Sequence, residues 1–186
     1  NYITLTGKAD RIDPVFRSTA GGSSTNPDYQ KTPVDALQDA GFNVNQTVLD
    51  AYASADAPKE RSVSSVGEYD PALFTGSVTD SFASYGDVAF VTLSRFATEG
   101  NDLAMVNDEG KRMLELDDNE KALVKHVKEH YPNKPIIVLI NSSNILQIPE
   151  LAEPKATSEY GVDAIFWVGN TGNNAIEAIG KLISGE

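Results

Sequence analysis

Three short apolar runs constrain the fold more than anything else in this chain: Val88-Ala89-Phe90-Val91, Ile136-Ile137-Val138-Leu139-Ile140 and Ala164-Ile165-Phe166-Trp167-Val168. A strand with one face in water alternates apolar and polar residues. A strand without alternation is covered on both faces, which is the habit of parallel sheets flanked by helices. Between the first two runs lies a clear amphipathic helix at residues 117–131. Leu123, Val124, Val127 and Tyr131 form its apolar face, Asp117 or Asp118 can cap it, Glu120 sits in its first turn, and Pro132-Asn133 ends it. Covered strands alternating with such helices predict an α/β fold, a three-layer α/β/α sandwich around a mostly parallel sheet.

The remaining segments fit that plan. Tyr2-Ile3-Thr4-Leu5-Thr6 reads as a strand stopped by Gly7. Residues 18–27 are rich in Gly, Ser, Thr and Asn and read as loop. Thr32 is an N-cap and Pro33 a first helical residue for a helix with Val34, Leu37 and Ala40 on one side, ended by Gly41. A second strand is expected at 42–45 and short helices at 48–55 and 79–85. The stretch 57–76 carries Pro58, Gly67, Pro71 and Gly76 without periodicity and is expected to be a long surface excursion. Residues 101–114 form a second polar loop. Residues 173–183 make a closing helix with Ile176, Ile179, Leu182 and Ile183 on its apolar side. The sheet is expected to be of the flavodoxin-like kind, and the 186 residues suffice for one domain with its own core.

Charge narrows the partners. Fifteen basic and 27 acidic residues give a net charge of −12 with no basic stripe. Such a surface repels phosphate backbones and anionic membranes, so neither nucleic acid nor membrane is an expected partner. Neutral or cationic small molecules suit it better. Cysteine is absent, which excludes a disulfide framework and thiolate metal sites. No apolar run approaches the roughly 18 residues of a membrane span, and no signal peptide is visible. The first residue is Asn1 rather than Met, and the last helical pattern runs into Glu186. Both ends read as cut, so a piece of a longer polypeptide is expected.

In an open parallel sheet, ligands bind beyond the carboxyl ends of the strands. Three strands here end in polar loops: residues 94–102, Asn141-Ser142-Ser143-Asn144, and Gly169-Asn170-Thr171-Gly172. The first holds Glu99 and Asp102, and a carboxyl at a loop mouth is a candidate acid or base when its surroundings tune its pKa. His126-Val127-Lys128-Glu129-His130 matches the inverted zincin pattern and keeps a zinc peptidase open as a minor alternative. The spacing puts both histidines beside the apolar stripe and turns Glu129 away from it, so the reading is an ordinary surface helix and no metal is assigned. Gly169-Asn170-Thr171-Gly172 lacks the glycine spacing and lysine of a phosphate loop, and a Gly-x-Ser-x-Gly elbow is absent. No cofactor is assigned. Trp167 is expected in the core or as the wall of an opening above its strand.

Taken together these segments resemble the α/β sandwich domain of family 3 glycoside hydrolases, the β-glucosidase family. The resemblance runs over nearly the whole chain. It rests on Gly86-Asp87-Val88-Ala89-Phe90-Val91 leading to Ser94-Arg95 and Glu99-Gly100-Asn101-Asp102-Leu103. It continues through Leu114-Glu115-Leu116-Asp117-Asp118-Asn119-Glu120-Lys121-Ala122-Leu123, Ile137-Val138-Leu139-Ile140-Asn141-Ser142 and Val162-Asp163-Ala164-Ile165-Phe166-Trp167-Val168-Gly169. Ala40-Gly41-Phe42-Asn43-Val44-Asn45 is similar to one branch of the family.

The resemblance implies a retaining exo-β-glycosidase, most simply a β-glucosidase, acting on a β-glucoside or related oligosaccharide. It implies a nucleophilic aspartate on a separate (β/α)-barrel domain of the same polypeptide and an acid/base glutamate from the sandwich, for which Glu99 matches. Asp102 and Arg95 are then implied at the substrate. The barrel's Ser-Asp-Trp segment is not in this chain, whose single Trp follows Phe166, so the chain alone is expected to be inactive. A non-catalytic carbohydrate-binding or scaffold domain of the same fold is the alternative.

Overall fold

The computed structural model describes residues 2–7, 31–56, 62–97, 100–169 and 176–186. Every ladder of its sheet is parallel. Strand β1 (Tyr2–Gly7) pairs with β2 (Asn43–Val44) on one side and β3 (Val88–Ser94) on the other; β3 pairs with β4 (Ile136–Asn141), and β4 with β5 (Ala164–Trp167). The order among the described residues is β2-β1-β3-β4-β5, the flavodoxin-like, doubly wound order expected from the alternation. The chain steps outward from β1 to β2, then returns across β1 to β3 and continues the other way. The reversal falls between β1 and β3.

Parallel neighbours need crossovers, and helices supply them. Helix α1 (Pro33–Asp39) joins β1 to β2, and α2 (Gln46–Ser54) and α3 (Ser77–Ser81) lie between β2 and β3. Helix α4 (Asp118–His130) lies between β3 and β4, and α5 (Ile176–Ser184) follows β5. Alternate strand residues feed two cores. Ala89, Val91, Leu93, Ile136, Val138 and Ile140 face α4, whose Leu123, Val124 and Val127 are fully buried. Phe90 and Leu139 face the other way, onto Val34 and Leu37 of α1 and Ile176 and Ile179 of α5. Helices α1 and α5 touch so closely that a methyl group on Gly180 would lie 2.2 Å from the Ala36 carbonyl oxygen.

Local chemistry sets the helix starts as expected. Thr32 and Asp35 form a reciprocal capping box with Pro33 in the first turn, and Asp117 and Glu120 form another. At the far end of α4, the buried Tyr131 hydroxyl lies 2.6 Å from Thr4 Oγ1 on β1 and 3.1 Å from the Tyr85 carbonyl. The Asn45 amide donates to the same Thr4 oxygen at 3.2 Å and to Ser81 Oγ at 2.9 Å. Burial, opposed in part by the Thr4 contact, pushes the Tyr131 phenol up to about 12.

Three expectations are corrected. Strand β5 is covered on one face only: Ile165 is 36% and Trp167 60% exposed, because β5 is the sheet edge and α4 lies over β3 and β4. Trp167 is therefore not core. The excursion at 57–76, of which 57–61 lie outside the described residues, is not all surface. Glu68 and Phe74 are buried, and Phe74 meets the rings of Tyr52, Phe82 and His126. A single anchoring ring leaves no periodic signature. The helix expected at 79–85 starts earlier, at Ser77, and tightens to a 3₁₀ turn over Phe82–Tyr85. The loop at 18–27 lies outside the described residues.

Candidate active site

The carboxyl ends of β3, β4 and β5 are tied together by side chains. Ser94 Oγ donates to Asn141 Oδ1 at 3.3 Å, and Asn141 Nδ2 donates to the Gly169 carbonyl at 2.6 Å. The Arg95 amide donates to the Asn141 carbonyl at 3.1 Å, and the Trp167 indole N–H to the Ser142 carbonyl at 2.6 Å. The three polar loops singled out in the sequence thus leave the sheet from one linked edge. Beside them β1 ends at Gly7, where a methyl group would lie 2.2 Å from the Thr92 carbonyl oxygen; Tyr52 accepts the Gly7 amide at 2.8 Å. Only a residue without a side chain allows this approach between the two strands at the reversal point. That is where ligands bind in doubly wound sheets.

Arg95 is the first residue of the loop after β3, and its side chain is wholly buried. The guanidinium engages Glu120 as a fork: Nη1 lies 2.6 Å from Oε1 and Nη2 2.8 Å from Oε2. Nε donates to the Met113 carbonyl, Nη1 to that of Ser94 and Nη2 to that of Glu115, at 2.6, 2.7 and 2.7 Å. All five donors of the guanidinium are used by protein acceptors. Burial works against the Arg95 charge, but Glu120 outweighs it, and the side chain is held as a cation. Glu120 Oε2 also accepts the Asp117 amide at 3.0 Å. Burial, then the neighbouring Glu120, pushes the Asp117 carboxyl upward. One carboxylate therefore closes a helix cap and an ion pair at once. The sequence shows Glu120 as a cap residue; its pairing with Arg95, 25 positions away, leaves no mark in spacing.

Glu99 lies outside the described residues, as does Thr98. Its flanks are described. Arg95 is clamped before it; after it Gly100 takes φ +71°, Asp102 is exposed and Leu103 is buried. The Ala104 amide then donates to the Val63 carbonyl at 2.8 Å. The loop is pinned on both sides of Glu99, and Asp102 and Arg95 occupy opposite situations on it: one faces solvent, the other none. A groove of about 520 Å³ borders the clamp, walled by Gly67, Glu68, Arg112, Glu115, Asp117 and Lys121 among others; Arg95 and Asp102 are not among its walls. A second, apolar groove of about 650 Å³ lies on the open face of β5, between Trp167, Ile165, Ile145 and Pro149. Trp167 is thus a wall, the second of the two places expected for it.

The histidine pair is brought together. His126 and His130 have ring centroids 4.4 Å apart, and Phe82 meets both edge-on. Glu129 is exposed, turned away from the apolar stripe as the helical wheel suggests, and still offers an oxygen within 4.8 Å of a ring nitrogen of each imidazole. The arrangement sits on the side of α4 near Phe82 and Phe74, and Glu129, the residue a zinc peptidase would need as its base, is one of the exposed members of the trio. The turn Gly169-Asn170-Thr171-Gly172 lies outside the described residues after Gly169.

The family model for the glycosyl hydrolase family 3 C-terminal domain matches residues 2–186. No curated protein matches the chain at a significant level. Among solved structures, a β-glucosidase from Paenibacillus barengoltzii superposes with a TM-score of 0.70 at 17% identity, covering 98% of this chain and 20% of that one. The β-glucosidase EmGH1 from Erythrobacter marinus gives a TM-score of 0.55 at 19% identity, covering 98% of this chain and 24% of that one. The chain spans between a fifth and a quarter of the length of these two enzymes. Fold and family model agree from β1 to α5, and the chain belongs to the glycosyl hydrolase family 3 C-terminal domain family.

Proposed function

We propose that this chain is the sandwich domain of a retaining exo-β-glycosidase, most simply a β-glucosidase, and that Glu99 is its acid/base. The observation that carries the reading is the loop after β3: it leaves the sheet at the reversal point between β1 and β3, held by the Arg95–Glu120 pair before Glu99 and by Leu103 after it. A retaining enzyme needs two carboxyls about 5 to 5.5 Å apart across the glycosidic bond. One protonates the departing oxygen and later takes the proton of the attacking water; the other forms and releases the glycosyl intermediate. This chain supplies the first, and a (β/α)-barrel domain of the same polypeptide supplies the second. The far greater length of the two β-glucosidases supports such a partner domain. Asp102 lines the sugar subsite or orients the loop. Arg95 serves the substrate site through the loop it fixes, since its donors are all engaged.

The test compares wild type with Glu99→Ala in the full-length polypeptide, on aryl β-glucosides with good and poor leaving groups. An acid/base role slows the poor leaving groups far more, by about 10²–10⁴-fold for a lost proton transfer. Added azide then restores turnover and gives a β-glycosyl azide. Near wild-type rates on both substrates would make the domain a non-catalytic scaffold.

A further inference from the structure

The last two turns of α4 carry a constellation that glycoside hydrolysis does not use. His126, Glu129 and His130 each offer one ligand atom, and these atoms all lie within 4.8 Å of one another. Two details distinguish the trio from chance proximity. His126 Nε2 is buried and has no hydrogen-bond partner. A buried nitrogen left unpaired calls for an explanation, and a bound ion is one. His130 Nδ1 lies 2.8 Å from the His126 carbonyl oxygen, an acceptor only, so Nδ1 carries the proton and Nε2 presents its lone pair. That is how metal-bound histidines are commonly oriented, with the far nitrogen fixed by a carbonyl. Phe82 braces both rings on their apolar side.

We propose that His126, Glu129 and His130 bind one divalent transition-metal ion of the Zn²⁺, Cu²⁺ or Ni²⁺ class. Two imidazoles and a carboxylate suit these borderline ions and not Mg²⁺ or Ca²⁺, which take oxygen donors. Bonds of roughly 2.0–2.2 Å set tetrahedral donors about 3.4 Å apart, so the trio closes by drawing in about an ångström through side-chain rotation. The site lies at the carboxyl end of α4, where the helix dipole favours a cation. Burial, and next the neighbouring His130, lower the pKa of His126 and favour the neutral form that ligates. Three protein donors leave a coordination position for water. The ion joins residues of a single helix and is a local addition to it.

The experiment is calorimetric titration of the chelator-stripped chain with ZnCl₂ in a non-coordinating buffer, repeated with MgCl₂. It is run in parallel on His130→Gln and Glu129→Gln, substitutions on the outer side of the helix. The expected result is one equivalent of Zn²⁺ bound, no competition by Mg²⁺, and affinity at least tenfold weaker in each variant. A Co²⁺-loaded sample should show the visible absorption of nitrogen and oxygen ligation and lose it in His130→Gln. Absence of saturable binding, or affinity unchanged in both variants, overturns the proposal; the latter result would place the ion on scattered surface carboxylates.

Discussion

Replacing Glu120 by Gln removes one charge from a pair with almost no water around it: the two side chains are 1% and 0% exposed. The carboxylate meets Arg95 through both oxygens at 2.6 and 2.8 Å and accepts the Asp117 amide at 3.0 Å. An amide offers a single acceptor and turns a donor toward the guanidinium. Breaking a buried pair on one side costs about 3–5 kcal/mol, chiefly because the remaining charge stays buried alone. With a urea m-value of about 2 kcal/mol/M, the midpoint should fall by about 1.5–2.5 M. Arg95→Met should cost at least as much, since it strands Glu120 and also deprives the Ser94, Met113 and Glu115 carbonyls of their donor. The double variant Arg95→Met with Glu120→Gln keeps neither charge of the pair. It should be less destabilised than the sum of the singles by about 3 kcal/mol. Equilibrium unfolding by urea, followed by far-ultraviolet circular dichroism, measures all four corners. A loss under about 1 kcal/mol for Glu120→Gln, or singles that add within about 0.5 kcal/mol, would refute the clamp.

Gly180→Ala should destabilise, although alanine is the better helix former by about 1 kcal/mol. The new methyl group meets the Ala36 carbonyl oxygen at 2.2 Å, and α5 must move off α1; thermal unfolding should show a net loss of about 1–3 kcal/mol. Tyr131→Phe should cost about 1–2 kcal/mol at neutral pH, because Thr4 loses the shorter of its two buried donors and keeps only the Asn45 amide at 3.2 Å. The wild type should also carry an alkaline limb. The Tyr131 pKa is raised to about 12 from 10, so its contribution is complete below pH 10 and is lost as pH rises through 12. The variant should be flatter over that window; equal slopes would reject the assignment.

Much of the architecture is legible in the residues, and for identifiable reasons. Ile136 to Ile140 lack alternation because both faces are covered, and Thr32 with Pro33, or Asp117 with Glu120, declare helix starts by chemistry local to one turn. What stays hidden depends on partners distant in sequence. The same apolar reading that suits β4 fails for β5, since composition does not report which strand lies at an edge. Phe74 enters the core as a single ring and Arg95 finds Glu120 across 25 residues, so neither leaves a period to detect. At the site, the convergence of three strand ends follows from topology. The links Ser94 to Asn141 to Gly169 that bind them together do not.

The chain's single tryptophan lies on the uncovered face of its last strand, with its indole N–H anchored to the Ser142 carbonyl. That makes the domain its own optical sensor, and one with an unusual meaning. In most globular chains indole emission follows the collapse of the interior; here the ring is already wet when the chain is folded, so the signal should change little as the domain unfolds. It should shift toward the blue, and become hard to quench with iodide, only when something dry settles against β5. Titrating any candidate neighbour therefore needs no label, and folding has to be followed by another signal, such as the tyrosines packed inside.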